Sequence, residues 1–221
     1  MGSAPARGRP GRYSRDVGEF DRAIAFIDAT FAFAMTLLVT TLDVGDVPSA
    51  FQNLSSLDDA VGAQFIAFLI SFAVIASQWL ANHRMVANFV ALDTPTIVAH
   101  LFLLAAVVLL PFTTASVGDP DAADLPLPTV LMAVSIAAVL TLNVVVYVVA
   151  CRRGVLDHLP SAGEWRETVV TGLAPAAVFL ASVPIAYLAS PVAARISWIA
   201  LLVVNPAVGR VMARARRRAE G

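Results

Sequence analysis

The sequence predicts an all-α membrane protein with six transmembrane helices, and composition, apolar runs and the placement of arginine support this fold class. The chain has 221 residues, of which 58% are hydrophobic and 14% are charged, and its mean hydropathy is +0.78. A soluble domain of ordinary composition is far less apolar. The hydrophobic residues are gathered into six runs, each close to the roughly 20 residues that a helix needs to cross a bilayer.

The six runs follow one another with short connections, so they form one domain over residues 22–212. A polar tail over residues 1–21 precedes this domain, and a basic tail over residues 213–221 follows it. Helices are the expected form of the runs, because lipid offers no hydrogen-bonding partner to an open backbone. The predicted spans are residues 22–44, 61–89, 94–117, 127–151, 165–188 and 191–212.

Arginine predicts the orientation of the chain in the membrane. With the N-terminus inside, Arg195 is the only one of the 15 basic residues that falls on the outer side. Cytoplasmic connections are enriched in basic residues, so both termini are predicted to be cytoplasmic. The aspartates segregate to the opposite side, at Asp43, Asp46, Asp58, Asp59, Asp119, Asp121 and Asp124.

The tails and the reactive side chains exclude several kinds of protein. The N-terminal tail lacks the apolar stretch of a signal peptide, so we expect it to remain in the cytoplasm. The single cysteine, Cys151, allows neither an internal disulfide nor a cysteine metal site, and no two histidines have metal-ligand spacing. We therefore expect no metal and no cofactor. The arginines of residues 210–218 fit anionic lipid better than nucleic acid.

The first predicted span carries the polar residues that point to a function. It contains Asp28, and a charge at membrane depth costs about 2.5 to 3.5 kcal/mol on insertion scales, so such a residue usually faces protein or water. Intervals of four, three, four and three place a set of side chains in one row along this helix. We interpret the row as the lining of an ion pathway; its members are Ala29, Phe33, Thr36, Thr40 and Asp43.

Each member of this row also has a plainer interpretation. Phe33 is either an apolar gate, which blocks ions by excluding water, or a side chain packed between helices. Thr36 and Thr40 offer oxygen atoms to a cation, or their hydroxyl groups bond back to their own helix. Asp43 attracts cations at the outer mouth, or it is a solvated helix end. The sequence leaves these alternatives open.

A second set of polar residues is predicted at the cytoplasmic side. Arg22 and Asp28 are six residues apart, so they lie on different sides of the helix and cannot pair with each other. We expect Asp28 to accept a hydrogen bond from His83 or from the indole of Trp79, which end the second span. Such a bond ties the first helix to the second. His83 also offers a source of pH sensitivity.

Three motifs in the first half of the chain resemble those of one channel family. They are Arg22-x3-Phe26-x-Asp28 with Phe-Ala-Phe-Ala-Met-Thr-Leu-Leu-Val after it, Trp79-Leu-Ala-Asn-His83-Arg84, and Leu-Pro-Phe-Thr at 110–113. They are similar to the motifs of the bacterial relatives of transmembrane protein 175, the endolysosomal leak potassium channel. The resemblance implies a homotetramer in a bacterial inner membrane, with the first helices around a central pore. It also implies a pore without the Thr-Val-Gly-Tyr-Gly loop.

Carried over by the motif, the apolar constriction of this family, usually an isoleucine, falls on Phe33. The threonine one turn later is Thr36, and the next layer, commonly leucine, is Thr40. Two further departures lie in the motifs, where Ile27 replaces a serine and Asn82 replaces the first histidine of a pair. These changes alter the size and polarity of the constriction, so they bear most on selectivity and conductance.

The function predicted from these features is a potassium-selective or potassium-preferring passive leak channel. Its partners are potassium ions, the other subunits and the lipid bilayer, with no nucleic acid. The alternatives are a cation/proton-coupled transporter working through Asp28, or a proton-permeable channel. An enzyme using Asp28, His83 and Arg84 is not expected, because no Ser or Cys nucleophile beside a base is evident.

Overall fold

The computed structural model describes residues 12–16, 18–43, 45, 47–122 and 124–220. Its helices include six that are long and apolar enough to cross a membrane, as the sequence predicts. The bounds agree with the predicted spans to within a few residues at most ends. The six spans are Gly18–Thr41, Val61–Val86, Thr94–Gly118, Pro126–Arg153, Ala162–Leu188 and Pro191–Arg216.

The described residues form eight α-helices and a two-stranded antiparallel sheet. The strands are β1 (Arg12–Ser14) and β2 (Ala91–Asp93). The helices are α1 (Gly18–Leu37), α2 (Val47–Ala50), α3 (Leu54–Val86), α4 (Thr94–Gly118), α5 (Pro126–Arg153), α6 (Ala162–Leu188), α7 (Pro191–Ser197) and α8 (Leu201–Glu220). A 3₁₀ turn, Leu38–Thr41, continues α1, and two more cover Pro120–Ala122 and Trp198–Ala200.

Side chains before the helices fix where several of them begin. Asn53 caps α3 by accepting from Ser56 N at 2.9 Å, and Ser161 caps α6 in a reciprocal pair with Glu164. Such caps satisfy backbone N–H groups that the first helical turn leaves without partners. α5 ends at Gly154, whose φ of +61° suits a residue without a Cβ atom.

The subunit is built around α4, which packs against α1, α3 and α5, while α6 packs on α5 and α8 packs on α6. The main core lies between these helices and is a continuous cluster of buried apolar side chains. α4 continues through Pro111 to Gly118. Its most buried apolar residues and those of α5 facing it are Leu103, Val107, Leu110, Met132, Ile136 and Val139.

The first membrane helix differs at both ends from the predicted helix over residues 22–44. It begins at Gly18, within the segment that the sequence assigns to a tail, and β1 lies just before it. Its α-helical part ends at Leu37, and the chain is extended at Leu42. The hydroxyl groups of Thr40 and Thr41 bond to carbonyls three residues earlier, which favours the tighter 3₁₀ geometry.

The connections lie at two ends of the subunit that differ in charge. The arginine-rich end carries β1, the α3–α4 and α5–α6 connections and the last turns of α8. The C-terminal helix returns to this end, because Arg216 Nη1 lies 3.3 Å from Glu167 Oε2 near the start of α6. The aspartate-rich end carries the C-terminal end of α1, the start of α3 and the α4–α5 connection, with Asp43, Asp58, Asp119, Asp121 and Asp124.

Candidate functional site

The first membrane helix has one side buried in its own subunit and one side that the subunit leaves open. The buried side carries Phe20, Ile27, Phe31, Ala34 and Leu38. We call the opposite side the open face of α1. It runs the length of the helix and consists of Arg22, Ala25, Phe26, Ala29, Ala32, Phe33, Thr36, Val39 and Thr40, all exposed.

Phe33 lies in the middle of this open face with 59% of its surface exposed, and Phe26 is exposed to 57%. Large apolar side chains on a helix usually cover their surface against a neighbour or lipid. The row predicted from residue spacing therefore matches the side of α1 that the subunit does not cover, up to Thr40. Within the subunit, Phe33 is not packed between helices.

The threonine hydroxyl groups of the open face donate to their own helix. Thr36 Oγ1 donates to Phe33 O at 2.8 Å, and Thr40 Oγ1 donates to Leu37 O at 2.7 Å. This is the back-bonded arrangement that the sequence left open. Because the hydroxyl hydrogen is used within the helix, the oxygen lone pairs remain on the exposed side. Two exposed hydroxyl oxygens thus follow Phe33 toward the aspartate-rich end.

Asp28 is held at the edge of the open face by a residue of α3. The indole Nε1 of Trp79 donates to Asp28 Oδ1 at 2.9 Å, so the structure contains one of the two expected bonds. The His83 ring stacks on Trp79 with 5.3 Å between ring centroids. A cavity of about 370 Å³ adjoins the bond, lined by Asp28, Ala29, Ala32, Met35 and Trp79.

Asp43 lies beyond the end of the first helix, so the expectation that it continues the helical row is corrected. Its backbone N donates to Gln64 Oε1 at 2.6 Å, and Gln64 Nε2 donates to Asp43 O at 3.2 Å. Its carboxylate accepts from Gly45 N at 2.9 Å. We call this pair of hydrogen bonds between the Gln64 amide and the Asp43 backbone the outer anchor. The cause of the difference is the 3₁₀ turn, after which the chain becomes extended.

The outer anchor depends on a close approach between α3 and α4. Gln64 is only 8% exposed. A Cβ atom added at Gly118 would lie 3.0 Å from the Cα atom of Gln64, which is tighter than ordinary packing. Glycine at this position therefore lets the two helices meet where Gln64 reaches across to α1.

Sequence reasoning did not find the polar contacts that hold the other helices together. Asn143 Nδ2 of α5 donates to both the backbone and the side-chain oxygen of Gln78, at 3.2 and 2.9 Å. The hydroxyl oxygens of Ser71 and Thr114 lie 2.6 Å apart between α3 and α4. The available signal was a polar residue inside an apolar run, since such residues often bond between membrane helices.

Two features of the described residues bear on ligand binding: the grouping of possible metal ligands and a large cavity. Among the described residues, no three His, Cys, Asp or Glu side chains come together as a candidate metal site. A cavity of about 1090 Å³ lies on the flank of the subunit between α3, α5, α6 and the C-terminal helices. Its polar lining includes Gln78, Asn143 and Tyr147, and no residue of the open face of α1 contributes to it.

Comparison with known proteins connects these features to a family. The model of the family described as the endosomal/lysosomal potassium channel TMEM175 matches residues 22–111. This range contains Arg22, Phe26, Asp28, Trp79 and His83 of the motifs quoted above. The match confirms the resemblance that those motifs indicate.

Two curated relatives are potassium channels. One, from Streptomyces collinus, is 33% identical over 106 residues, which are 47% of this chain and 50% of the relative. The other, from Chamaesiphon minutus, is 33% identical over 103 residues, which are 46% of this chain and 50% of the relative. The chain thus spans about half the length of the curated relatives it matches.

Solved structures share the fold over most of the chain. A lysosomal potassium-selective channel TMEM175 homologue from Chamaesiphon minutus matches with a TM-score of 0.66 and 20% identity, over 87% of this chain and 99% of its own. A variant of the potassium channel MtTMEM175, solved in complex with a nanobody–MBP fusion protein, matches with a TM-score of 0.59 and 18% identity, over 97% and 100%. The six-helix architecture is therefore that of TMEM175 channel structures.

Proposed function

From the match of residues 22–111 to the TMEM175 family, we propose that the protein is a passive, potassium-preferring cation channel. Four copies assemble with their first helices around a central axis, and the open face of each α1 lines the pore. Phe33 forms the constriction, Thr36 and Thr40 form the layers beyond it, and Asp43 lies at the mouth. The curated relatives named as potassium channels support the choice of ion.

The single observation that carries this proposal is the open face of α1. One side of the helix is buried in the core, while the other presents Phe33 and back-bonded threonines with no cover from its own subunit. A face that alternates apolar and oxygen-bearing layers suits a narrow water-filled path. A ring of phenylalanines blocks ions by dewetting, and oxygen lone pairs beyond it stabilise a cation that has shed part of its water.

The charge distribution supports an orientation with both termini in the cytoplasm of a bacterial cell. Strand β1 and the end of α8 lie at the same arginine-rich end, together with Arg84, Arg152 and Arg153. Basic residues favour the cytoplasmic side of the inner membrane and its anionic lipids. The opposite end, rich in aspartate, faces outward and raises the local concentration of cations at the pore mouth.

The proposal is tested by potassium flux from liposomes that contain the purified protein. Phe33→Ala should raise the flux by about tenfold, equivalent to about 1.4 kcal/mol at the barrier, and Phe33→Trp should lower it. Phe102→Ala is the matched control, because Phe102 is 63% exposed but lies on α4. Unchanged flux in both Phe33 variants would remove the assignment of the constriction.

The same assay with sodium or a proton-sensitive dye measures ion selectivity. A flux that saturates and shows a fixed coupling ratio would instead indicate a transporter.

The arrangement of subunits is tested by disulfide formation. The chain has one native cysteine, so Cys151→Ala provides a background without thiols. In that background, Phe33→Cys should form covalent dimers under mild oxidation, because neighbouring copies approach each other at the axis. Phe102→Cys, on an exposed face of another helix, should remain monomeric on a denaturing gel. Crosslinking at Phe102 but not at Phe33 would place the axis elsewhere.

A further inference from the structure

The N-terminal strand is attached to two connections of the membrane domain. β1 pairs with β2 in the register Arg12 with Asp93, Tyr13 with Leu92 and Ser14 with Ala91. The pairing extends past the strand, because Arg15 N donates to Val90 O at 3.1 Å. The segment before the first helix is therefore tied by its backbone to the α3–α4 connection.

The other side of the α3–α4 connection is bonded to the α5–α6 connection. Val90 N donates to Val155 O and Asp157 N donates to Asn88 O, both at 2.8 Å. Arg12 Nη2 also donates to Gly154 O at 3.2 Å, so the strand reaches both connections. We call this assembly of β1, residues 87–93 and residues 153–157 the N-terminal clasp.

A single carboxylate joins two of the three parts of this clasp. Asp93 Oδ1 accepts from Thr96 N at 3.1 Å and from Thr96 Oγ1 at 2.6 Å, which caps α4. Its other oxygen accepts from Arg153 Nε at 2.5 Å, which ties in the last turn of α5. The Asp93 side chain is nearly fully buried, whereas that of Arg153 is half exposed. A hydrogen bond between charged groups is stronger than one between neutral groups, so this pair strengthens the link between the two connections to which β1 is bonded.

The clasp is continuous with the first helix. Only three residues separate β1 from Gly18, where α1 begins. Phe20, in the first turn, is buried in a second apolar core with Val86, Phe89, Leu92, Ala150 and Val155. The guanidinium of Arg15 lies over the Phe20 ring at 5.9 Å from its centroid. Phe33 lies about 20 Å further along the same helix, at about 1.5 Å per residue.

We infer that Asp93 and Arg153 are positioning residues of the pore: through the N-terminal clasp they fix the rotation of α1 and hence the direction in which Phe33 points. The inference rests on the proposed function, since it assumes that the open face of α1 lines the pore. A helix bends little over this distance, so releasing its first turn lets the constriction turn away from the axis. Neither residue contacts the ion path.

The test compares two adjacent arginines in the potassium flux assay. Arg153→Gln removes the ion pair and should raise the flux by about threefold, within the range that residues coupled to a site over a distance commonly produce. Arg152→Gln removes the same charge from the same exposed turn and should leave the flux unchanged. Arg153→Lys retains the charge and should restore most of the wild-type flux. Equal flux in Arg153→Gln and wild type, or equal effects at both arginines, would overturn the inference.

A second pair of variants keeps the inference testable if Arg153→Gln folds poorly. Removing residues 2–14 deletes β1, whereas removing residues 2–11 leaves it in place. The longer deletion should raise the flux by about threefold and the shorter one should not. Equal flux from both deletions would overturn the inference.

Combination with the constriction variant separates failure of this inference from failure of the proposed function. With Phe33→Ala in place, Arg153→Gln should have no further effect, because the side chain that it reorients is absent. If Phe33→Ala and Phe33→Trp both leave the flux unchanged, the constriction assigned in the proposed function fails, whatever the effect of Arg153→Gln. If Phe33→Ala raises the flux and Arg153→Gln raises it further by the same factor, the clasp acts elsewhere and the inference fails.

Discussion

The two ends of the first membrane helix are held in different ways. At the arginine-rich end, α1 continues from a strand, buries Phe20 in an apolar core and is bonded to α3 through Asp28 and Trp79. At the aspartate-rich end, it tightens into a 3₁₀ turn, and the amide of Gln64 bonds to the backbone that follows.

The difference shows how the chain positions a helix when it leaves the open face of that helix uncovered. Several contacts of different kinds fix the first three turns of α1. After its last turn, the buried side chain of Gln64 is bonded to the backbone. Between these attachments, the open face has no cover from the rest of the chain. The attachments at the ends therefore add to the packing of Ile27, Phe31 and Ala34, which covers only one side of the helix.

We expect the largest loss of stability from a substitution that breaks the Trp79–Asp28 hydrogen bond at the more strongly held end of α1. Trp79→Phe keeps the ring but removes the indole donor to Asp28. Losing a hydrogen bond to a charged group costs about 1.5 to 3 kcal/mol, so the assembled protein in detergent should unfold at a clearly lower temperature. Asp28→Asn retains an acceptor oxygen and should cost less. Trp165→Phe, an exposed site on α6, serves as control, and an equal loss at Trp165 would contradict the special role of Trp79.

The next effect concerns the weaker attachment. Gln64→Ala removes both bonds of the outer anchor and leaves Asp43 N without its acceptor, at a cost of about 1 to 2 kcal/mol. Thermal unfolding should show a smaller decrease than for Trp79→Phe. Gln52→Ala, an exposed glutamine in the same part of the chain, should have no effect. If Gln64→Ala is as stable as Gln52→Ala, the outer anchor does not hold α1.

The pH dependence of the arginine-rich end gives a third test. Burial raises the pKa of Asp93, but hydrogen bonds from Thr96 and Arg153 outweigh it and hold that pKa below its ordinary value of 3.8. Stability from the ionised form is present above the ordinary value and is lost as pH falls through the lower one. The difference in unfolding temperature between wild type and Asp93→Asn should stay constant from about pH 7 to about pH 5 and shrink below about pH 4. A difference that shrinks near neutral pH would contradict this account.

The smallest effect is electrostatic and sharpens the view of the aspartate-rich end. Asp43→Asn keeps the acceptor for Gly45 N but removes the charge, so it should lower potassium flux about twofold at low ionic strength and hardly at all at high salt. Asp121→Asn, in the α4–α5 connection, should change the flux less. A decrease that persists at high salt would mean that Asp43 acts through structure and not through its charge.

The features that depend on composition and period were predictable from the sequence. The six spans follow from apolar runs, and the open face of α1 up to Thr40 follows from residue spacing. The indole of Trp79 was one of the two donors expected for Asp28, because a carboxylate at membrane depth requires a partner. The roles of Phe33, Thr36, Thr40 and Asp43 in conduction remain predictions.

The features that depend on contacts between distant segments were not predictable. β1 has only three residues, and its partner strand lies 77 or more positions later in the chain. The helix α1 ends earlier than the sequence predicts. Apolar residues continue past Leu37, but threonine hydroxyl groups that bond to nearby carbonyls tighten the backbone there. Gln64 and Asn143 were visible as polar residues in apolar runs, but only the fold determines which oxygen or nitrogen each one meets.

The absence of a side chain at Gly118 has a consequence for a part of the chain that it does not touch. A methyl group there would press on the backbone of α3 at Gln64. Because the side chain of Gln64 is hydrogen-bonded to the backbone of Asp43, a shift of α3 at Gln64 would also move the segment beyond Thr41. The single hydrogen atom that Gly118 has in place of a side chain thus sets the distance between α4 and α3, and through Gln64 the position of the chain after the first helix.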